Sequence, residues 1–202
     1  MTDFDAKAKD WDEMPGRVER TSAVAVAIRA QVALSRSMAA LEYGCGTGLL
    51  SFALQADLGS ITLADSSPGM LNVLTKKIAI GGVKNMTPIR LDLAVDTLPA
   101  QRFNLIYTLL TLHHIRETEK ILQGFNLLLQ TGGILCIADL DKEDGSFHSD
   151  DPDFDGKHGF DRAGLGLDLR RAGFKNVSFS DCYNLTKNER LYPLFLAVAE
   201  RN

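Results

Sequence analysis

LEYGCGTG, residues 41–48, is the stretch on which the fold turns. It lies between a short apolar run, AALEY (39–43), and a segment with helical spacing that extends to about residue 57. Three glycines at alternate positions, Gly44, Gly46 and Gly48, permit positive φ and let a ligand approach the backbone closely. The helix that follows presents free N–H groups at its start, which favour a polar or anionic partner. A strand, a glycine turn and a helix in this order belong to an open α/β sheet, whose ligands sit at the carboxyl ends of the strands.

Working outward, apolar runs and helical stripes alternate along the chain, the pattern of layered α/β architecture. Val24, Ile28 and Val32 form one stripe of a first helix over about 17–36. ITLAD (61–65) is a second strand, and Ser67-Pro68 supply an N-cap and a first helical position. Leu71, Leu74 and Ile78 give that helix its inner face, and Gly81-Gly82 end it. The run 86–91 is a weak strand, FNLIYTLL (103–110) a strong buried one, and ILCIADL (134–140) another, with a helix over 118–130 between the last two. Asp161 caps a helix over 161–172 that Gly173 stops, although Gly164 and Gly166 each cost it about 1 kcal/mol relative to Ala. Strands near 175–183 and 192–200 follow with no helix between them, which predicts an antiparallel hairpin on an otherwise parallel sheet. The expectation is one domain over 1–202: a doubly wound, mostly parallel seven-stranded sheet with an antiparallel last strand and helices on both faces.

Composition narrows the partners. The 202 residues are 45% hydrophobic and 24% charged, as in an ordinary globular protein. A net charge of −4 argues against holding nucleic acid by phosphate neutralisation. The polar N-terminus has no apolar signal-peptide core, and no apolar run approaches membrane-spanning length, so no membrane partner is expected. Cys45, Cys136 and Cys182 are odd in number and widely spaced, which reads as reduced thiols in a cytoplasmic protein.

Two acids sharpen the ligand. Asp65 closes the second strand, where its two acceptor oxygens match the two hydroxyls of a ribose. Asp92, in RLDLA (90–94), is placed to accept from an exocyclic amine such as that of adenine. Nicotinamide dinucleotide binding uses a similar turn and acid, but its G-x-G-x-x-G/A pattern would need Gly or Ala at position 49, where this chain has Leu49.

With these residues in hand, the sequence resembles the class I S-adenosylmethionine-dependent methyltransferases, a Rossmann-like family, over nearly its whole length. LEYGCGTG is similar to that family's first motif. LADSSPGML (63–71), RLDLA (90–94), FNLIYTLLTLHHI (103–115), LLLQTGGIL (127–135) and RRAGF (170–174) resemble its later landmarks in order. Asn104 stands where an Asp is common, and Gln130-Thr131 replace a frequent Lys-Pro. The resemblance implies that S-adenosyl-L-methionine is the cofactor and S-adenosyl-L-homocysteine the product. It implies that Gly44, Cys45, Gly46 and Gly48 contact the methionine part, with Glu42 near its amino group. Asp65 would hold the ribose, Ser66 and Met70 would lie beside the adenine, and Asp92 and Leu93 would read its edge. Thr108 and Leu109 would line the sulfonium, while residues 1–36 would act as a lid bringing Trp11, Arg17 and Arg20 near the carboxylate.

His113 and His114 follow the fourth strand at the pocket rim and are candidate general bases, and His148 is a third candidate for catalysis. No third ligand stands at a diagnostic spacing from the pair, so no metal site is expected. The stretch 141–160 carries seven acids against two lysines and overhangs the carboxyl edge as a substrate-side loop, with Phe147, His148 and His158 as contacts. Within it DPDFDG (151–156) mimics a calcium loop, but Arg162 occupies the position of the closing Glu. The expected function is methyl transfer to a small-molecule acceptor. An Asn-Pro-Pro-aromatic motif is absent, and the strand ends in TLLTLHH (108–114), which favours an O, S or C nucleophile. The alternatives are protein or tRNA methylation with a partner, or a nucleotide-binding regulatory scaffold without turnover.

Overall fold

A computed structural model describes residues 3–202. Its core is a seven-stranded sheet in the order β3-β2-β1-β4-β5-β7-β6. The strands are β1 (Ala39–Tyr43), β2 (Ser60–Asp65), β3 (Met86–Arg90), β4 (Phe103–Leu109), β5 (Leu129–Leu140), β6 (Phe174–Lys187) and β7 (Arg190–Arg201). β1 to β5 pair in parallel, and β7 runs antiparallel to both β5 and β6. The helices are α1 (Asp3–Lys7), α2 (Arg17–Gln31), α3 (Leu49–Leu54), α4 (Pro68–Ile80), α5 (Thr118–Leu128) and α6 (Arg162–Arg171).

The period-2 alternation of strand side chains divides the core into two layers. Ala40, Leu105, Tyr107 and Cys136 face one side and pack with Val24 and Ile28 of α2, Leu50 and Leu54 of α3, and Leu74 of α4. Leu41, Tyr43, Ile106, Leu135 and Ile137 face the other and pack with Ile121, Phe125 and Leu128 of α5 and Leu165 and Leu169 of α6. Helices cover both faces because each parallel crossover returns over the sheet. Strand order reverses between β1 and β4, so the turn after β1 and the end of β4 flank one crevice.

Local chemistry sets the boundaries. The Ser67 side chain accepts from the Met70 N–H and Pro68 opens α4, while Asp161 caps α6 by accepting from the Gly164 N–H. Gly173, at φ 95°, ends the α6 unit. The first helix is shorter than the 17–36 expected: Val32 turns extended at φ −126°, yet it still buries its side chain. The last two strands are longer than expected. β6 and β7 continue to a turn that places Lys187 opposite Arg190, with Asn188 and Glu189 both at positive φ, the twist of a tight hairpin. Near this turn the side chains alternate between outward Asn184, Thr186 and Pro193 and inward Leu185, Tyr192 and Leu194, which pack with Leu140.

No helix among the described residues is long and apolar enough to cross a membrane. Cys45, Cys136 and Cys182 are free thiols.

Phe125 is fully buried and meets the Tyr43 ring edge-on at 5.3 Å, joining α5 to the strand that leads into the glycine turn. Phe125→Ala is expected to lower unfolding free energy by about 3–5 kcal/mol in a denaturant titration, and Leu127→Ala, on the exposed side, by under about 1 kcal/mol. Equal losses from the two would show that α5 does not pack as described.

Candidate functional site

The turn after β1 is held by its neighbour strand. The Gly44 and Cys45 N–H groups donate to the Ala64 carbonyl at 2.8 and 3.0 Å, and the Gly46 N–H donates to Asp65 Oδ2 at 2.7 Å. Gly44, Gly46 and Gly48 take φ of 69°, 52° and 81°, and a Cβ on Gly44 would overlap the Thr111 side chain. Asp65 Oδ1 accepts from the Ser67 N–H at 2.8 Å. Each of its oxygens therefore takes one backbone donor, and an ionised carboxylate has about four acceptor positions in all. Burial pushes the Asp65 carboxyl upward in pKa, against the pull of the Ser67 and Gly46 N–H groups.

Glu42 lies deeper, on the α2–α4 side. Its Oε2 accepts from the Ser51 N–H at 3.1 Å and from the Ser51 hydroxyl, which also meets the Tyr107 hydroxyl at 2.6 Å. Burial raises the Glu42 carboxyl to about 8, with a smaller contribution from Asp65. Cys45 is buried beside these two acids, and its thiol is held well above its ordinary range by that burial. Met70 is buried with its sulfur toward Gly46, whereas Ser66 is exposed at the rim.

The Leu91 N–H donates to the Asp65 carbonyl, which brings the 91–93 segment to the end of β2. Asp92 Oδ1 accepts from the Ala94 N–H at 2.9 Å, and the Leu93 N–H donates to the Tyr43 hydroxyl at 3.2 Å. Across the crevice Thr108 is buried, and its Oγ1 has no hydrogen-bond partner. Leu109 is half-buried at the strand end. Leu110 follows at φ 50°, a left-handed conformation unusual for leucine, with its N–H held by the Ala138 carbonyl.

The N-terminal segment packs on the glycine turn. Asp5 Oδ1 accepts from Ser67 Oγ at 2.6 Å and the Gly69 N–H at 2.8 Å, and Asp12 accepts from Thr47 and Lys77. The Trp11 indole lies over Gly46, and the Arg17 guanidinium stacks on that ring at 3.4 Å. Burial lowers Arg17 to about 10, with nearby Arg20 adding to the effect. Arg20 Nε is buried without a partner.

His113 and His114 form a short 3-10 turn after β4, and the loop after β5 brings His148 against them. His113 Nδ1 lies 2.6 Å from Asp139 Oδ1, and both side chains are shielded from solvent, at 1% and 0% exposure. Asp139 also accepts from the Leu112, His113 and Leu140 N–H groups. His148 stacks on Phe154 at 3.7 Å with planes 8° apart, and Phe4 meets both Trp11 and His114 edge-on. Burial, with help from neighbouring imidazoles, lowers His114 to about 3 and His148 to about 4, so both rings are neutral near pH 7. Phe147 lies between His148 and Tyr192, whereas His158 sits outside the trio, largely exposed and 3.4 Å from Glu143. Within 151–156 Asp155 pairs with Arg116, and Asp151 accepts from the Asp153 N–H.

Sequence reasoning missed Asp139, Asp5, Asp12 and Ser51. Asp139 had a signal, a carboxylate inside the apolar run ILCIADL, where burial demands a partner. The departures at 104 and 130 explain each other: Asn104 Nδ2 donates to Gln130 Oε1 at 3.1 Å, and Asn104 Oδ1 accepts from the Ala39 N–H. That pairing lies at the start of β1, away from the glycine turn.

Residues 34–155 match the family model described as a methyltransferase domain, well over half of the chain. The ubiquinone biosynthesis O-methyltransferase of Coxiella burnetii is 26% identical over 146 residues, covering 70% of this chain and 62% of that protein. The chain spans between 42% and 62% of the length of the curated relatives it matches first. The methyltransferase solved in complex with the Haloferax volcanii Trm112 activator superposes with a TM-score of 0.81 at 15% identity, covering 99% of this chain and 98% of that one. A SAM-dependent methyltransferase from Aquifex aeolicus gives 0.72 at 20% identity, covering 98% of both chains. The glycine turn at the switch point and the family match together place this chain among the class I S-adenosylmethionine-dependent methyltransferases.

Proposed function

We propose that this chain binds S-adenosyl-L-methionine in the crevice between β1 and β4 and transfers its methyl group to an oxygen, sulfur or carbon atom of a small molecule. The observation that carries the reading is the pairing of Gly46 with Asp65, which leaves a shaped carboxylate with acceptor capacity beside a glycine turn whose cover is the Trp11 indole of the N-terminal segment. Asp65 takes the ribose hydroxyls, Gly44 to Gly48 flank the methionine chain, and Asp92 with Leu93 meets the adenine edge. Ser66 and Met70 lie on the adenine side. Thr108 Oγ1 and Leu109 line the reacting end, and the buried hydroxyl gains a partner there. Arg17 and Arg20 are two cations set toward the ligand's carboxylate from the N-terminal segment, which serves as the lid.

When bound, the cofactor supplies a methyl group on a positively charged sulfur that leaves as a neutral thioether. The chain's own work is alignment, bringing the acceptor to about 3 Å, and exclusion of water. Two buried carboxylates, Glu42 and Asp65, suit a ligand with an ammonium and a sulfonium, because burial holds each acid above its ordinary pKa and a further positive charge beside it offsets that cost. The O-methyltransferase relative supports an oxygen acceptor. A partner subunit is a second reading, favoured by the whole-chain likeness to the methyltransferase solved with Trm112.

Calorimetric titration with S-adenosyl-L-homocysteine is expected to give one site per chain, and Asp65→Ala to weaken it at least tenfold, with a lower but still cooperative melting transition because the Gly46 and Ser67 N–H groups lose their acceptor. Absence of heat and of thermal shift in the wild type would refute the cofactor assignment. A pH series tests Glu42 separately. The free protein holds it protonated below about pH 8, and an ammonium beside it favours the carboxylate, so binding releases a proton. Affinity for the cofactor is then expected to rise severalfold from pH 6 to 8 and to level above that. Glu42→Gln should flatten this dependence, and an unaltered slope in the variant would remove Glu42 from the cofactor's amino group.

A further inference from the structure

We propose that His113, His114 and His148 form a binding site for a divalent first-row transition metal ion of the zinc type. The three rings come from two separate 3-10 turns, His113 and His114 on Leu112–His114 after β4 and His148 on Ser146–His148 after β5. One ligand atom from each lies within 4.8 Å of the other two. In a tetrahedral zinc site with bonds near 2.1 Å the ligand nitrogens stand about 3.4 Å apart, so the trio closes by a movement on the order of 1 Å. His148 lies on the loop after β5 while the other two follow β4, so a displacement of that loop relative to the pair closes the trio.

Two features mark this cluster as more than packed imidazoles. First, Asp139 grips His113 Nδ1 at 2.6 Å while receiving three backbone N–H groups. A carboxylate fixed in this way makes Nδ1 the protonated nitrogen and turns Nε2 into the electron-pair donor, the arrangement that orients metal-binding histidines. Second, His113 Nε2 and His148 Nε2 are both buried with no hydrogen-bond partner. Buried nitrogens of this kind are rare unless something accepts or donates there, and a cation satisfies several together. Imidazole ligands suit zinc, copper, iron and nickel, whereas calcium and magnesium prefer oxygen.

Three protein ligands leave a coordination position open, the pattern of catalytic sites. Thr111, two residues before His113, packs on Gly44, and Phe4 and Trp11 bridge His114 to Gly46, which links the cluster to the glycine turn. Resting on the methyl-transfer reading, the open position suits the acceptor oxygen: the ion lowers the pKa of a bound hydroxyl and holds it toward the methyl group. Phe147 and Phe154 would wall that acceptor. The expectation of no metal rested on spacing in the sequence, which does not reveal His148 as a neighbour of the pair.

The test is titration of the untagged, chelator-stripped full chain with Co²⁺, followed by visible absorption. One equivalent should produce the intense ligand-field bands of a four- or five-coordinate nitrogen site, and Zn²⁺ should displace them. His148→Ala, on the loop, is expected to weaken Co²⁺ at least tenfold, and Asp139→Asn about tenfold or more. His158→Ala should leave binding unchanged. Calorimetry with S-adenosyl-L-homocysteine on the same variants reports folding and the cofactor site independently, so loss of metal with intact nucleoside binding separates the two assignments. No bands in the wild type, or bands of equal strength in His148→Ala, would overturn the metal site.

Discussion

One constraint organises the molecule: the backbone bend after β1 is fastened to the end of β2. Gly44 and Cys45 hang from the Ala64 carbonyl, and Gly46 hangs from the Asp65 carboxylate. Because β1 and β2 are adjacent and parallel, the bend cannot relax without pulling Asp65 with it. The same carboxylate receives Ser67, which caps α4, and Ser67 in turn meets Asp5 of the N-terminal segment. A strand end, a helix start and the covering segment therefore share one anchor.

Around that anchor the chain gathers polar groups that burial makes costly on their own. Glu42 and Asp65 lie on one side, and the unpaired Thr108 hydroxyl and strained Leu110 on the other. Unsatisfied polar atoms and a left-handed leucine are stabilised elsewhere in the fold and concentrate where a ligand completes them. The core supplies that support through two packed layers, with Phe125 and Tyr43 tying one layer to the glycine turn.

Much of the fold was legible because the helices bury one face each and the central strands are buried on both. The stripe at Val24 and Ile28, the near-continuous apolar runs of β1, β4 and β5, and the caps at Ser67 and Asp161 all announce themselves through apolar pattern or local hydrogen bonding. The hairpin arms of β6 and β7 were under-read because the polar run 186–190 and Pro193 resemble a loop, although Leu185, Tyr192 and Leu194 pack with Leu140. Of the candidate site, the glycines, Asp65 and Asp92 follow from local pattern. The Asp5 and Asp12 contacts with the turn do not, since acids near an N-terminus look solvated until their partners are known. The convergence of His148 on His113 and His114 depends on the path of a long loop, which no spacing encodes.

The most direct measurement is a crystal structure of the chain with S-adenosyl-L-homocysteine. The expected density places both ribose hydroxyls on the Asp65 carboxylate and the amino acid portion along Gly44–Gly48, with the sulfur facing Thr108. Density for the nucleoside elsewhere, or a glycine turn filled by the chain's own side chains at saturating ligand, would contradict that assignment.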